Sequence, residues 1–202
     1  MADKITVKNR LRGFLDPVVS LLMRIGITPT AVTVAGLVLS LVGAFAIARG
    51  AFVAGGVLVI VSGVCDTIDG SLARKTGRES VFGAFIDSTI DRITEFACFG
   101  ALVVYYAARG EAARTALILA IVALAGSFLT SYTRARAEGL GLECRVGLLE
   151  RPERIALLVV GLLLGANVLF VVIASLAVLT MVTSVQRIVH VYRLTSRAGA
   201  GE

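Results

Sequence analysis

Long apolar runs broken by short charged clusters set the pattern of this chain. Ala31–Ala48 carries no charge, and it follows "GITPT", where Pro29 is a helix-start signal. Ala51 to Lys75 is uncharged as far as Cys65 and then turns acidic. Val81–Ala108 has the opposite polarity, with Asp87 and Asp91 early and an apolar later half. Ala112–Glu138 is apolar until its basic end. About 20 apolar residues cross a bilayer as a helix, so each run predicts one span. The last run, Ile155–Gln186, would make a helix of about 48 Å, against a hydrocarbon core of about 30 Å. Its internal turn signal is Gly165-Ala166-Asn167, which divides it into a short fifth span beginning near Pro152 and a sixth.

Ahead of the first span, Lys4, Lys8, Arg10 and Arg12 interleave with Ile5, Val7, Leu11, Phe14 and Leu15. That pattern predicts an interfacial amphipathic helix. The start is charged and no cleavage signal follows a short apolar run, so a signal peptide is not expected. The expected fold is an all-α integral membrane protein, a single domain over 1–202. It comprises an interfacial helix at 1–17, a six-helix bundle at 18–190 and a cytoplasmic tail at 191–202.

Composition agrees: 57% of the 202 residues are hydrophobic and 17% charged, against about 45–50% and about 25% in soluble domains. The basic residues set the orientation. Six spans put both termini on one side, with Lys4, Lys8, Arg10, Arg12, Arg24, Arg74, Lys75, Arg78, Arg134, Arg136, Arg145, Arg151, Arg154, Arg187, Arg193 and Arg197. The other side holds Arg49, Arg109 and Arg114. The positive-inside rule then places both termini and the acidic cluster in the cytoplasm, in the cell's inner membrane. A net charge of +6 suits an anionic lipid surface. Nucleic acid is not an expected partner, because no basic stripe carries base-stacking aromatics. Cys65, Cys98 and Cys144 lack CxxC spacing and predict neither disulfide nor zinc site; Cys65 and Cys98 read as small apolar fillers.

The candidate chemistry lies in "CDTIDGSLARKTGRESVFGAFIDSTIDR", Cys65 to Arg92. Asp66 and Asp69 stand at i, i+3, and Asp87 and Asp91 at i, i+4, so each pair shares a helix face. The short turn at Thr76-Gly77-Arg78 makes the two helices antiparallel and brings both pairs to a similar depth. Four converging carboxylates stay ionised only beside a cation. All-oxygen ligands predict Mg²⁺, Mn²⁺ or Ca²⁺, and four carboxylates are enough for two ions, an arrangement that clamps phosphoryl groups. Gly70 and Gly83 remove side chains beside the acids. Arg74 is near enough to grip a phosphate. The plainer alternative is a set of ion pairs with Arg74, Lys75 and Arg92 at a solvated membrane edge. It accounts poorly for four acids and two glycines on adjacent spans.

The pattern Asp66-x2-Asp69-Gly70-x2-Ala73-Arg74-x8-Gly83-x3-Asp87-x3-Asp91 resembles, at every fixed position and spacing, the signature of the CDP-alcohol phosphatidyltransferase family. The six-span layout and the N-terminal helix are similar as well. The resemblance implies transfer of a lipid phosphate from a CDP-linked lipid such as CDP-diacylglycerol to an alcohol, with release of CMP, on two divalent metals. It implies that Asp66, Asp69 and Asp87 are metal ligands, with Asp91 the general base and also a metal ligand. Gly70 and Arg74 would contact the CDP moiety, as would Ser80 and Pro29 and Thr30 of "TPTAVT". A homodimer is implied too. No Ser-His or Cys-His nucleophile pair is visible, and His190 lies in the basic C-terminal segment. Direct displacement is therefore expected.

The segments "SYTRARAE", "ERPER" and "VQR" resemble the phosphatidylinositol-phosphate synthase branch, whose acceptor is inositol phosphate. On that resemblance Ser131, Arg134, Arg154 and Arg187 hold the acceptor phosphate, with Arg134 standing where that branch often has Lys. Phosphatidylglycerol-phosphate synthesis is the alternative, and an ether lipid is an alternative donor. Ordinary cytoplasmic anchoring is the plainer reading of any single arginine. A divalent-cation transporter is the non-enzyme alternative. Against it, the acids sit at span ends, and "FACFGALVVYYAA" continues no polar path.

Overall fold

The computed structural model describes residues 15–198, all helix and connecting turns without a strand among them. A helix at 15–24 (α1) precedes α2 (Pro29–Ala48), α3 (Phe52–Thr76) and α4 (Val81–Ala107). A short 3₁₀ turn at Gly110–Ala113 leads into α5 (Arg114–Glu138), followed by α6 (Arg151–Leu164) and α7 (Ala166–Ala198). The interfacial helix expected at Lys4–Leu15 lies, except for Leu15, outside the described residues. Two boundaries differ from expectation. Helix continues through 18–24, and α7 runs on to Ala198 through the segment assigned to a tail.

Local chemistry explains the ends. Thr28 caps α2 by accepting from Ala31 N at 3.2 Å, with Pro29 in the first turn, where its missing N–H costs nothing. Gly77, at φ +64°, closes α3 in the left-handed conformation, and Ser80 Oγ caps α4 by accepting from Gly83 N at 2.9 Å. Gly165, at φ +98°, breaks the last apolar run where the turn signal predicted.

Among the described residues, four helical segments are long and apolar enough to cross a membrane: α2, α3, the Gly110–Glu138 segment and α7. The other two expected spans differ for separate reasons. α4 carries Asp87, Asp91, Arg92 and Glu95, whereas α6 has 14 residues, about 21 Å of helix.

The helices close into a ring. α2 packs on α3 and α4, α4 on α5, α5 on α7, α7 on α6, and α6 on α3. Thus α3 and α4, consecutive in sequence, stand apart and leave a cleft between them. Phe99, Leu102, Leu158, Leu162, Ile173 and Leu176 fill the ring interior. Val19 of α1 is buried against Val32, Ile68 and Leu72, and Lys75 Nζ meets Asp16 Oδ1 at 2.6 Å, so α1 lies at the acidic end of α3.

Small residues set the helix spacing. A Cβ on Gly55 would stand 2.9 Å from the Gly43 carbonyl oxygen, and one on Gly43 3.1 Å from Leu58 Cβ. Nearer the acids, Ser62 Oγ donates to Gly36 O at 2.8 Å. Gly55→Leu should therefore force α2 and α3 apart and destabilise the fold by about 1–3 kcal/mol, the usual cost of overpacking. A thermal-unfolding series in detergent checks this; an unchanged melting temperature would mean that the α2–α3 spacing is not set here.

Candidate active site

The paired acids meet at one end of the ring. One carboxylate oxygen each from Asp66, Asp87 and Asp91 lies within 4.8 Å of the others. The spacing i, i+4 on α4 and the end of α3 across the cleft suffice to build this triangle. Asp69 stands outside that triangle, 7% exposed, and its Oδ2 accepts from Thr33 Oγ1 of α2 at 2.6 Å. The bond to Thr33, the last residue of "TPTAVT", was not legible in the sequence, because it joins positions on different helices.

Around the acids lies a cleft of about 810 Å³ between α2, α3, α4 and α6. Asp66, Asp69, Asp91 and Arg151 line it, together with Gly36, Ser40, Val59 and Cys98. Arg151 meets Asp91 Oδ1 at 2.5 Å and donates from Nη2 to Thr94 Oγ1 at 3.0 Å. Arg92 stands 3.7 Å from the other Asp91 oxygen. Asp91 is thus held between two guanidinium groups on the cleft wall.

The remaining donor-side residues cluster near the same end. Arg74 is exposed and donates to Ser71 Oγ at 3.1 Å. A Cβ on Gly70 would meet only the Arg74 guanidinium, at 3.5 Å, so the fold leaves open space there. Pro29 and Thr30 open α2, and Ser80 is engaged as the cap of α4.

A second groove, of about 630 Å³, runs between α4 and α5, lined by Ser88, Arg92, Phe96, Ser131 and Arg134 among others. Of the expected acceptor residues, Ser131 and Arg134 reach it. Arg134 also pairs with Glu138 Oε1 at 2.8 Å. Arg154 and Arg187 are elsewhere, 1% and 3% exposed. Arg154 pairs with Glu95, and Arg187 donates to the carbonyl oxygens of Val146, at 2.9 Å, and Thr130. Cys98 and Cys144 are buried free thiols. His190 is partly exposed, with Nε2 3.3 Å from Glu143 O.

The donor set suits a hard divalent cation: three convergent carboxylates, with neither imidazole nor thiolate ligand among them. An acid cluster at one end of an apolar ring, with the exposed Arg74 guanidinium beside Gly70, suits phosphoryl transfer.

Comparison with known proteins agrees. The family model of the CDP-alcohol phosphatidyltransferases matches residues 26–189, and the chain belongs to that family of enzymes. It is 34% identical to the archaetidylinositol phosphate synthase of Methanothermobacter thermautotrophicus over 91% of each chain. Crystal structures of the phosphatidylinositol phosphate synthase of Mycobacterium tuberculosis superpose with a TM-score of 0.81 at 34% identity, covering 87% of this chain. One, in complex with manganese and citrate, is covered over 88% of its length. Another, with CDP-DAG bound, is covered over 92%.

Asp66→Asn and Asp87→Asn should each weaken Mn²⁺ binding by roughly tenfold or more, since each removes a ligand charge from a site with few. Loss of the free Mn²⁺ signal in electron paramagnetic resonance titrations measures this. Affinities equal to the unsubstituted protein's in both variants would remove these carboxylates from the metal site.

Proposed function

We propose that this enzyme transfers the phosphatidyl group of CDP-diacylglycerol to inositol phosphate, releasing CMP. The observation that carries the reading is the placing of Asp91 and Arg92 at the junction of two clefts. Asp91 belongs to the acid triangle and lines the first cleft, and Arg92, the next residue, lines the groove with Ser131 and Arg134. Donor and acceptor can then approach one point from opposite sides of α4. The names of the similar synthases support a phosphorylated inositol as acceptor, and the CDP-DAG complex supports the donor.

In this reading Asp66, Asp69, Asp87 and Asp91 hold two Mg²⁺ ions, with Mn²⁺ a competent substitute. Bound there, the ions supply positive charge to the pyrophosphate and to the departing CMP. Arg74, over the space at Gly70, grips a pyrophosphate oxygen, with Pro29, Thr30 and Ser80 beside the nucleotide. Asp91 takes the proton of the acceptor hydroxyl, whose oxygen attacks the phosphorus bearing the diacylglycerol. Arg151 keeps the Asp91 carboxylate at the cleft wall. Arg134, with Ser131, meets the acceptor phosphate in the groove. Arg154 and Arg187 act from the buried wall behind it.

The whole chain, 1–202, forms one membrane domain. Six spans, α2 to α7, place both termini and the acids in the cytoplasm, behind an interfacial N-terminal helix in the inner membrane. The working form is a homodimer, as the family resemblance implies.

Incubation with CDP-diacylglycerol and a panel of alcohols, read by mass spectrometry of the lipid product, tests the acceptor. Inositol phosphate should be preferred over free inositol and glycerol 3-phosphate. Arg134→Ala should raise its KM by roughly 10–150-fold, the equivalent of about 1.5–3 kcal/mol of charge-assisted hydrogen bonding. KM for the donor should hold. Preference for another acceptor would sink the assignment while leaving the acid chemistry standing.

Topology is tested by labelling from outside the cell. With Cys65, Cys98 and Cys144 changed to Ala, an impermeant maleimide should modify Asn167→Cys and spare Arg145→Cys and Arg193→Cys. Modification at 145 or 193 would defeat the six-span orientation.

A further inference from the structure

Two charge pairs join α4 to α6 across the ring, Asp91 with Arg151 and Glu95 with Arg154, and the second is almost wholly buried. Glu95 lies one turn beyond Asp91 on α4, 3% exposed. Its partner, Arg154, is the largest fully buried side chain of the described residues and belongs to α6, on the opposite side of the ring. Two bonds join them, Nε to Oε1 at 2.7 Å and Nη2 to Oε2 at 3.0 Å. Nη2 also donates to Ser131 Oγ of α5 at 3.2 Å, and Nη1 reaches Leu149 O at 3.5 Å. A guanidinium has five N–H donors in a fixed fork. With these contacts made, Arg154 has no second fork to offer an incoming anion, and Glu95 neutralises its charge. The cations that remain partly exposed on the groove are Arg92 and Arg134, at 37% and 39%.

We propose that Glu95 is a positioning residue for acceptor binding: it fixes Arg154 across the ring and, through it, the Ser131 hydroxyl on the groove wall. The inference deepens the proposed function, because it rests on the groove taking a phosphorylated acceptor. Two consequences follow from the geometry. The Ser131 hydroxyl, held by the Arg154 donor, directs its own proton outward as a donor to the acceptor phosphate. The paired charges also leave the acceptor's negative charge to be met by Arg92 and Arg134, beside Asp91.

The test uses the purified full chain with CDP-diacylglycerol and inositol phosphate. Glu95→Gln should raise KM for inositol phosphate by roughly tenfold, the order expected for losing a charge-assisted hydrogen-bond network. KM for the donor should stay within about twofold, since the donor lies on the other side of α4, and Glu95→Asp should recover part of the loss. A brace without a positioning role would lower the melting temperature and leave both KM values unchanged, which would overturn the inference. The exchanged pair, Glu95→Arg with Arg154→Glu, separates the two further. It should regain thermal stability yet keep the raised acceptor KM; recovery of both would also overturn it. If these variants do not fold, Ser131→Ala carries the test, and an unchanged acceptor KM there refutes the relay. An unsubstituted enzyme that does not use inositol phosphate defeats the acceptor reading itself. One that does, with Glu95→Gln indistinguishable from it, overturns this inference alone.

Discussion

Charge enclosed by an apolar ring of helices must be answered at short range, and the architecture follows from how each charge is answered. Ions cost several kcal/mol each to bury, and removing one partner of a buried pair costs about 3–5 kcal/mol. Asp69 is answered by the Thr33 hydroxyl, Glu95 by the whole guanidinium fork of Arg154, and Arg187 by two backbone carbonyls. Asp66, Asp87 and Asp91 bring one carboxylate oxygen each within 4.8 Å of the others, and Arg151 and Arg92 pair with Asp91. Negative charge is therefore concentrated where a divalent cation can meet it.

The ring exists because small residues let particular backbones come close. Lipid tails are as apolar as leucine, so helices in a bilayer associate through packing and interhelical hydrogen bonds. Gly43 against Gly55, and Gly36 against Ser62, join α2 tightly to α3. α4 then takes the other flank of α2. The separation of α3 from α4 follows, and with it the cleft. Had these consecutive helices packed face to face, their acids would have left no volume for a substrate.

α4 divides two spaces. One is lined by Asp66, Asp69 and Asp91 together with small and apolar side chains of α2 and α3. The other holds the half-exposed Arg92 and Arg134 with Ser88 and Ser131, beside Ile93, Phe96 and Phe128. Successive residues of a helix point about 100° apart, so the neighbours Asp91 and Arg92 can serve both sides at once. The Glu95–Arg154 pair, one turn further in, ties this divider to the far wall.

Local pattern alone determined the helices, the break at Gly165 and the convergence of acids from α3 and α4. Apolar run length, cap residues and carboxylate spacing act within a few residues of one another. The family signature was legible for the same reason, since its chemistry needs fixed residues at fixed helical spacing. The interior partnerships were not legible. No spacing rule links Thr33 to Asp69 or Glu95 to Arg154, and arginines alike in sequence ended differently, Arg134 at the groove and Arg154 and Arg187 in the interior. Only the tertiary structure decided these, because the cost of burying a charge depends on which distant group folds against it.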